Sequence, residues 1–263
     1  MTEGLDLGAY LSRIGHTGGL EPTVETLAAL HRAHVLSIPF ENLDILLGKP
    51  IRLDLESLQT KLVHGRRGGY CFEQNALFAA VLEHLGFEVT GLAARVSMGE
   101  ERTTPRTHMV LAVDIAGSRW LADVGFGGDT LLDPVSFDDD EPVQQGAWAF
   151  RLVDDGDVRV LWGLRADGWL DLYSFTEEPQ LPVDYEVANH YTSTWPRSPF
   201  VTKVIAQRSG LGERWMLIED ELRVERPDGT EERWTVASHE ERLSILADRF
   251  ELVFPDGIRF DRE

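Results

Sequence analysis

The chain has 263 residues, of which 43% are hydrophobic and 27% are charged, which is typical of a globular protein and unlike a disordered or low-complexity one. A chain of this length buries enough surface to fold without a metal or disulfide staple. The net charge of −20 repels polyanions and argues against a nucleic-acid partner, because such binding depends on Lys and Arg neutralising phosphates.

The first third of the chain has the apolar spacing of helices. Residues 21–38 repeat apolar side chains at intervals near 3.6 residues, and Pro22 suits the first turn of that helix. Residues 71–86 predict a second helix, which Gly86 would end at the C′ position. Between them, Pro39 disfavours helical backbone at the residue before it.

The middle third is rich in β-branched residues and in alternating apolar and polar positions. The turn Ala116-Gly117 predicts a hairpin between the second and third strands. Six strands are predicted in this part, over 87–96, 107–115, 118–124, 147–153, 158–164 and 169–175.

The last third mixes both kinds of element. A helix is predicted over 183–192, and Ser238 to Glu241 have the form of a capping box before a final helix that runs to about Arg249. Four strands are predicted here, over 200–207, 213–218, 221–226 and 231–236. The order of helical, β and mixed segments predicts an α+β fold with segregated layers.

We expect a cytoplasmic protein without a membrane partner. One cysteine cannot form an intramolecular disulfide, which favours a reducing compartment. No segment approaches the roughly 18 uninterrupted apolar residues of a membrane helix. The first ten residues include Glu3 and Asp6 and no basic run, unlike a secretory signal.

The only cysteine, Cys71, lies at the predicted start of a helix, in the segment RRGGYCFEQN. A thiolate at that position gains from the helix dipole, and the arginines before it, Arg66 and Arg67, add positive potential. The glycines would leave room for a substrate to reach the sulfur. These features favour a nucleophile over the alternative of a small buried hydrophobic residue.

A thiol nucleophile needs a base and a group that orients the base. His108 opens the strand 107–115, and Asp123 ends its predicted hairpin partner, so both lie near the open end of one hairpin. A carboxylate there can fix the imidazole tautomer and stabilise an imidazolium. Taken singly, each residue could equally be a surface histidine or a turn-capping aspartate, and the combination with the cysteine carries the argument.

Other motifs compete weakly with this triad. His31 and His34 lie three residues apart on a predicted helix, but a third ligand at compatible spacing is missing, so we predict no metal site. The chain has neither a P-loop nor a dinucleotide-binding glycine motif after a strand, which argues against the familiar nucleotide folds.

The blocks RGGYCFEQN, THMVL and LADVGFGG occur in this order and together resemble the catalytic blocks of the arylamine N-acetyltransferases. SIPFENLDI at 37–45 and NHYTSTWPRSPF at 189–200 resemble that family's other blocks. The resemblance spans nearly the whole chain. It implies an N-terminal helical bundle over 1–86, a central antiparallel β-barrel-like domain over 87–180 and a C-terminal α/β lid over 181–263, around a cysteine-protease-like catalytic core.

The resemblance further implies that Cys71 is the nucleophile that accepts the acetyl group, that His108 is its base and that Asp123 completes the triad. In that chemistry the thiolate attacks the thioester of acetyl-CoA and coenzyme A leaves. An aromatic amine, hydrazine or hydroxylamine then takes the acetyl group from the cysteine, which gives ping-pong kinetics.

The resemblance also implies roles for residues around the triad. Four apolar side chains would line the acceptor pocket or flank its cleft: Phe40, Val96, Phe126 and Phe200. Three residues near the triad are candidate contacts to coenzyme A: Thr107, Gly127 and Gly128. Glu41 and Arg67 would form a structural ion pair beside the cysteine.

Coenzyme A is itself a polyanion, so its binding requires a local patch that offsets the charge of −20. Arg66, Lys203 and Arg208 are candidate contributors to such a patch. The same charge predicts slow association with coenzyme A that salt accelerates.

Three alternatives to this reading remain at the level of sequence. Amide synthases that release or cyclise polyketide chains share the resemblance and take acyl groups from a carrier protein. A papain-like hydrolase or transglutaminase would use the same Cys-His-Asp logic, although the chain has no disulfides and no pro-segment. The third alternative is a binding module in which the cysteine is inert.

Overall fold

In the computed structural model, which describes residues 4–100 and 102–260, helices surround two antiparallel sheets. The helices are α1 (Leu7–Ile14), α2 (Val24–Ser37), α3 (Leu43–Leu46), α4 (Leu55–Leu58), α5 (Cys71–His84), α6 (Pro182–Thr194), α7 (Pro199–Thr202) and α8 (His239–Phe250). A π-helical turn over Gln59–His64 follows directly on α4.

The larger sheet has eight strands. They are β2 (Glu88–Val96), β3 (Arg106–Ile115), β4 (Ser118–Ala122), β5 (Val135–Ser136), β6 (Val143–Gln145), β7 (Trp148–Asp155), β8 (Val158–Arg165) and β9 (Gly168–Phe175). Their order is β5-β4-β3-β2-β9-β8-β7-β6, and β5 also approaches β7, so the sheet nearly closes into a barrel. Each of the six predicted strands agrees with the structure to within two residues.

The smaller sheet joins one short strand of the first third of the chain to four strands of the last third. Its strands are β1 (Phe40–Glu41), β10 (Ile205–Ser209), β11 (Arg214–Ile218), β12 (Glu221–Glu225) and β13 (Glu231–Thr235), in the order β1-β10-β11-β12-β13. Phe40 pairs with Gln207, so the segment before the cysteine is hydrogen-bonded to the C-terminal third. The predicted α+β fold, with helical, barrel-like and mixed parts, is confirmed.

Helix α5 lies at the centre of the molecule. It packs against β2 and β3, and apolar residues on several sides of it, including Leu77, Phe78 and Val81, are fully buried. A helix buried on most of its circumference is fixed by the surrounding core. The first residue of α5 therefore has a well-defined position.

Two local predictions are wrong. Pro22 precedes the helix, because Thr23 is the N-cap and its hydroxyl accepts the Thr26 amide hydrogen bond. The strand predicted over 200–207 begins only at Ile205, because Ser198 caps a short helix that starts with a proline.

Within the ranges that the structure describes, no helix is both long enough and apolar enough to cross a membrane.

Candidate active site

Cys71 is the first residue of α5 and is only 4% exposed, and its Sγ lies 3.6 Å from the carbonyl oxygen of Thr107. The glycines before it are explained by packing and not by substrate access. A Cβ at Gly68 would lie 2.1 Å from the Pro39 carbonyl oxygen, and a Cβ at Gly69 would lie 2.9 Å from the Glu73 side chain.

The glycine that leaves room at the cysteine is Gly125. A Cβ there would lie 2.8 Å from the Cα of Cys71 and 2.9 Å from Nδ2 of Asn75. The segment after β4 therefore lies directly on the first turn of α5. Sequence reasoning placed Gly125 only in a motif, since contact between two distant segments leaves no local pattern.

His108 and Asp123 form the buried pair that the hairpin predicts. Nε2 of His108 lies 2.7 Å from Oδ2 of Asp123, and the two side chains are 3% and 0% exposed. β3 and β4 pair as far as Leu111 and Ala122, so Asp123 follows the last paired residue while β3 continues to His108. Nδ1 of His108 is thus the ring nitrogen that remains for the thiol of Cys71.

The charges of this pair stabilise each other. Burial alone would lower the pKa of His108, but the Asp123 carboxylate, with a smaller contribution from Cys71, raises that pKa to about 10. Burial alone would raise the pKa of Asp123, but the positive charge of His108 and several hydrogen bonds hold it below its ordinary value. At neutral pH the pair is therefore an imidazolium and a carboxylate.

Asn75 fixes the orientation of Asp123. Its Nδ2 donates to Oδ1 of Asp123 at 2.9 Å, and its Oδ1 accepts the Val124 amide at 3.1 Å. The Gly125 amide also donates to Oδ1 of Asp123, at 3.0 Å, which leaves Oδ2 for His108. Asn75 was missed by sequence reasoning, although its spacing of four residues from the cysteine puts it on the same helix face.

His31 holds the backbone of the same aspartate. The Asp123 amide donates to Nε2 of His31 at 3.1 Å, so Nδ1 carries the proton and donates to the Leu132 carbonyl at 3.1 Å. Burial is the main cause that lowers the pKa of His31 to about 4. This histidine is therefore a neutral core residue at neutral pH.

His34 supports the backbone before the cysteine. Gln74 donates from Nε2 to the Gly69 carbonyl at 2.8 Å, so its Oε1 accepts from Nε2 of His34 at 3.2 Å. Nδ1 of His34 then accepts from the Tyr10 hydroxyl at 2.9 Å. Burial lowers the pKa of His34 to about 3.

Among the described residues, no group of three or more His, Cys, Asp or Glu side chains could hold a metal ion.

A buried charge network lies beside the start of α5. Arg67 donates to Oε1 of Glu41 at 2.6 and 2.9 Å and reaches Asp44 at 3.3 Å, so the ion pair that the resemblance implies is present. The Arg67 guanidinium also lies 4.4 Å from the centre of the Phe254 ring. The expectation that Arg67 supplies positive potential to the thiolate is therefore replaced by a structural role.

The same network caps the helix. Lys61, on the π-helical turn, lies 2.7 Å from Oε1 of Glu73, and Oε2 of Glu73 accepts the Tyr70 amide at 3.1 Å. The Tyr70 hydroxyl in turn donates to Asn189 on α6. Tyr70 and Glu73, which flank Cys71 in sequence, are thus anchored to the π-helical turn and to α6.

Cys71 and His108 open onto a cavity of about 660 Å³. The ring of Phe126 lies 5.0 Å from the His108 ring, and Tyr173, which sequence reasoning missed, packs against both. Six of the seven residues expected to contact substrate or coenzyme A line this cavity, namely Phe40, Val96, Thr107, Phe126, Gly128 and Phe200.

The seventh, Gly127, does not line this cavity. Its φ is +94°, and a Cβ there would lie 2.2 Å from Oε1 of Gln207, which also accepts the Gly128 amide at 3.0 Å. Gly127 is therefore required by the close approach of β10.

The cations expected to meet the phosphates of coenzyme A also lie elsewhere. Arg66 and Lys203 are exposed and absent from the cavity lining, while Arg208 donates to the Leu36 carbonyl and pairs with Glu251 at 2.8 Å.

Comparison with known proteins finds relatives that match most of the chain. A family model described as N-acetyltransferase matches residues 23–258. The chain is 45% identical over 234 residues to an arylamine N-acetyltransferase of Mycolicibacterium smegmatis, with 86% of this chain and 85% of the relative covered.

Solved structures show the same similarity. The crystal structure of Nocardia farcinica arylamine N-acetyltransferase matches with a TM-score of 0.91 at 44% identity, over 97% of this chain and 92% of the other. The Mycobacterium marinum arylamine N-acetyltransferase in complex with CoA matches with a TM-score of 0.88 at 40% identity, over 94% of this chain and 92% of the other.

Proposed function

Because this chain belongs to the arylamine N-acetyltransferase family, we propose that it moves the acetyl group of acetyl-CoA to an aromatic amine, hydrazine or hydroxylamine through an acetylated Cys71. The observation that carries the proposal is that Cys71 and His108 line the same cavity, with the buried Asp123 paired to His108. The relative in complex with CoA supports the choice of donor.

In the first half-reaction, Cys71 reacts as a thiolate paired with the His108 imidazolium. Its sulfur forms a bond to the thioester carbon, the bond from that carbon to the sulfur of coenzyme A breaks, and the departing thiolate takes the proton of His108. The products are free coenzyme A, an acetyl thioester on Cys71 and a neutral imidazole.

In the second half-reaction, the neutral imidazole of His108 acts as a base. The acceptor nitrogen attacks the acetyl carbon, its proton passes to His108, and the bond to the sulfur of Cys71 breaks. The amide leaves and the thiolate–imidazolium pair is restored. Asp123 stabilises the imidazolium in both halves, because Asn75 and Gly125 hold its other oxygen.

The cavity suits a flat acceptor that enters after coenzyme A has left. We assign the aryl group to the apolar wall formed by Phe126, Val96, Phe40 and Phe200. Thr107 and Gly128 are assigned to contacts with the pantetheine arm, because both line the cavity beside the triad. We assign Gly127 no substrate contact; its role is to let the loop after β4 lie close to Gln207.

All three expected segments contribute to this cavity, which is why we retain the division 1–86, 87–180 and 181–263 as our proposal for the domains. Cys71 comes from the first segment, His108 from the second and Phe200 from the third. We also infer a reducing compartment such as the cytoplasm, because the nucleophile must remain a free thiol.

Mixing the protein with acetyl-CoA in the absence of any amine is expected to add one acetyl group, measured as intact mass. The adduct should be absent from Cys71→Ala and should disappear from the wild type when an arylamine is added. A folded, reduced enzyme that forms an adduct only with longer acyl thioesters would instead support an amide synthase. Peptide hydrolysis without any coenzyme would support a hydrolase.

Salt is expected to accelerate acetylation of Cys71 at low acetyl-CoA concentration. The charge of −20 repels the phosphates of the donor, and raising ionic strength from about 10 mM to about 100 mM shortens the screening length from about 30 Å to about 10 Å. Rapid-quench mass measurements would give the rate, with uncharged p-nitrophenyl acetate as a control that salt leaves unchanged. A rate with acetyl-CoA that falls steeply with salt would contradict the repulsion.

A further inference from the structure

The mouth of the cavity carries a stack of two aromatic rings and an arginine, which we call the aromatic shelf. Tyr191 and Trp195, one turn apart at the end of α6, stack with ring centroids 5.6 Å apart and an interplanar angle of 17°. The guanidinium of Arg197 lies 5.1 Å from the centre of the Trp195 ring. All three residues line the same cavity as Cys71.

Arg197 places a positive charge on the lining of the cavity. Arg102, which also lines the cavity, pairs with Glu100. Within residues 4–100 and 102–260, Arg197 forms no ion pair, and its contact is the face of Trp195. An uncompensated arginine in the active-site cavity of a protein with a charge of −20 is suited to an anionic ligand.

The fold does not need the ring surfaces of the shelf. Tyr191 and Trp195 remain 41% and 38% exposed, so they contribute little to the core. Their backbone is satisfied separately, because the Trp195 amide donates to the Tyr191 carbonyl at 2.9 Å and the Ser198 amide donates to the Trp195 carbonyl at 2.8 Å. Exposed rings beside a cation form a surface suited to a planar, charged ligand.

Hydrogen bonds of α6 fix the position of the shelf relative to Cys71. Tyr191 lies two residues after Asn189, which accepts from the hydroxyl of Tyr70, the residue before Cys71. Nδ2 of Asn189 also donates to the Ile51 carbonyl at 3.0 Å. Helix α6 thus connects the cysteine on the cavity wall to the rings at the mouth.

We propose that the aromatic shelf binds the adenosine 3′-phosphate end of acetyl-CoA. The adenine packs against the exposed ring surface of Tyr191 and Trp195, and a phosphate pairs with Arg197. The inference rests on the proposed function, in which the thioester at the other end of the donor lies at Cys71. It assigns the phosphate contact to Arg197 in place of the cations that lie off the cavity.

Truncated donors test this assignment. Acetyl-CoA, acetyl-3′-dephospho-CoA and acetyl-pantetheine carry the same thioester but lose first the 3′-phosphate and then the whole nucleotide. We expect Trp195→Ala to raise KM about tenfold for both nucleotide donors, with kcat and the KM for acetyl-pantetheine unchanged. Arg197→Gln should raise KM about tenfold for acetyl-CoA and less for the dephospho donor.

Lys203→Gln is the matched control, because it removes one positive charge a few residues away on a side chain that is exposed and off the cavity. Its KM values should equal those of the wild type. A shift of the same size for acetyl-pantetheine, or no shift for any donor, would overturn the assignment.

A second measurement separates failure of the shelf from failure of the proposed function. Adenosine 3′,5′-bisphosphate is expected to bind the wild type in calorimetry and to bind Arg197→Gln about tenfold more weakly, whether or not Cys71 can be acetylated. No binding to the folded wild type would overturn the shelf, even where acetyl transfer is found.

Discussion

Replacing Asp123 with Asn is expected to lower kcat/KM for acetyl transfer at neutral pH by roughly 10³- to 10⁴-fold, the loss seen when the carboxylate of a comparable triad is made neutral. The introduced amide has nearly the same shape, and its oxygen can still accept from Asn75 and Gly125. Its NH₂ group then faces His108 and cannot stabilise an imidazolium.

The matched control for this substitution is Asp114→Asn on the same hairpin. Asp114 pairs with Arg119 at 2.9 Å at a partly exposed position, and loss of such a pair is expected to change kcat/KM by less than about twofold. A purified Asp123→Asn enzyme that kept more than a tenth of the wild-type kcat/KM would show that the carboxylate is dispensable.

The pH dependence of stability separates the charge of Asp123 from its packing. Asp123 raises the pKa of His108 to about 10, so the pair stabilises the folded state fully below the unfolded value of about 6.5. That contribution is lost as the pH rises from there through about 10. Urea denaturation should therefore show a fall in the free energy of unfolding over this range, and the fall should be smaller in Asp123→Asn.

Gly125→Ala is the second substitution with a large expected effect. The added Cβ would lie 2.8 Å from Cα and 3.0 Å from the carbonyl oxygen of Cys71, and neither backbone atom can move without shifting α5. Overpacking of this kind lowers the free energy of unfolding by about 1–3 kcal/mol. Because the displaced residue is the proposed nucleophile, we expect acetylation to slow by more than the loss of stability alone would cause.

Chemical denaturation and the intact-mass rate together measure this effect. Gly212→Ala is the control, because a Cβ there meets no atom within 4 Å and should change the free energy of unfolding by less than about 0.5 kcal/mol. If both alanine variants had the same stability and acetylation rate, the close approach at Gly125 would affect neither folding nor acetylation.

The parts of the fold that the sequence predicted well are those with local patterns. The hairpin of β3 and β4 was predicted because alternating strands flank Ala116 and Gly117, whose φ angles of +51° and +90° suit a tight turn. That hairpin places His108 and Asp123 at the same end of two paired strands. The sequence therefore predicted the central pair of the site before any tertiary contact was known.

Residues that act across long separations were not predictable in this way. His31 reaches the Leu132 carbonyl 101 residues later, and nothing near His31 in sequence distinguishes it from a metal ligand. Gly68 has the same character, because the Pro39 carbonyl that it contacts lies in another segment. Such residues are selected by the packing of two segments against each other, which a pattern within one segment does not contain.

The pairing of β1 with β10 has a consequence for biosynthesis. Cys71, His108 and Asp123 are all synthesised before the strand that pairs with Phe40, which begins only at Ile205. A nascent chain that has not reached this strand lacks one wall of the cavity. Cys71 is therefore expected to act as an efficient nucleophile only after residues 205–209 have been synthesised and have paired with β1, because the proposed substrate cavity is then complete.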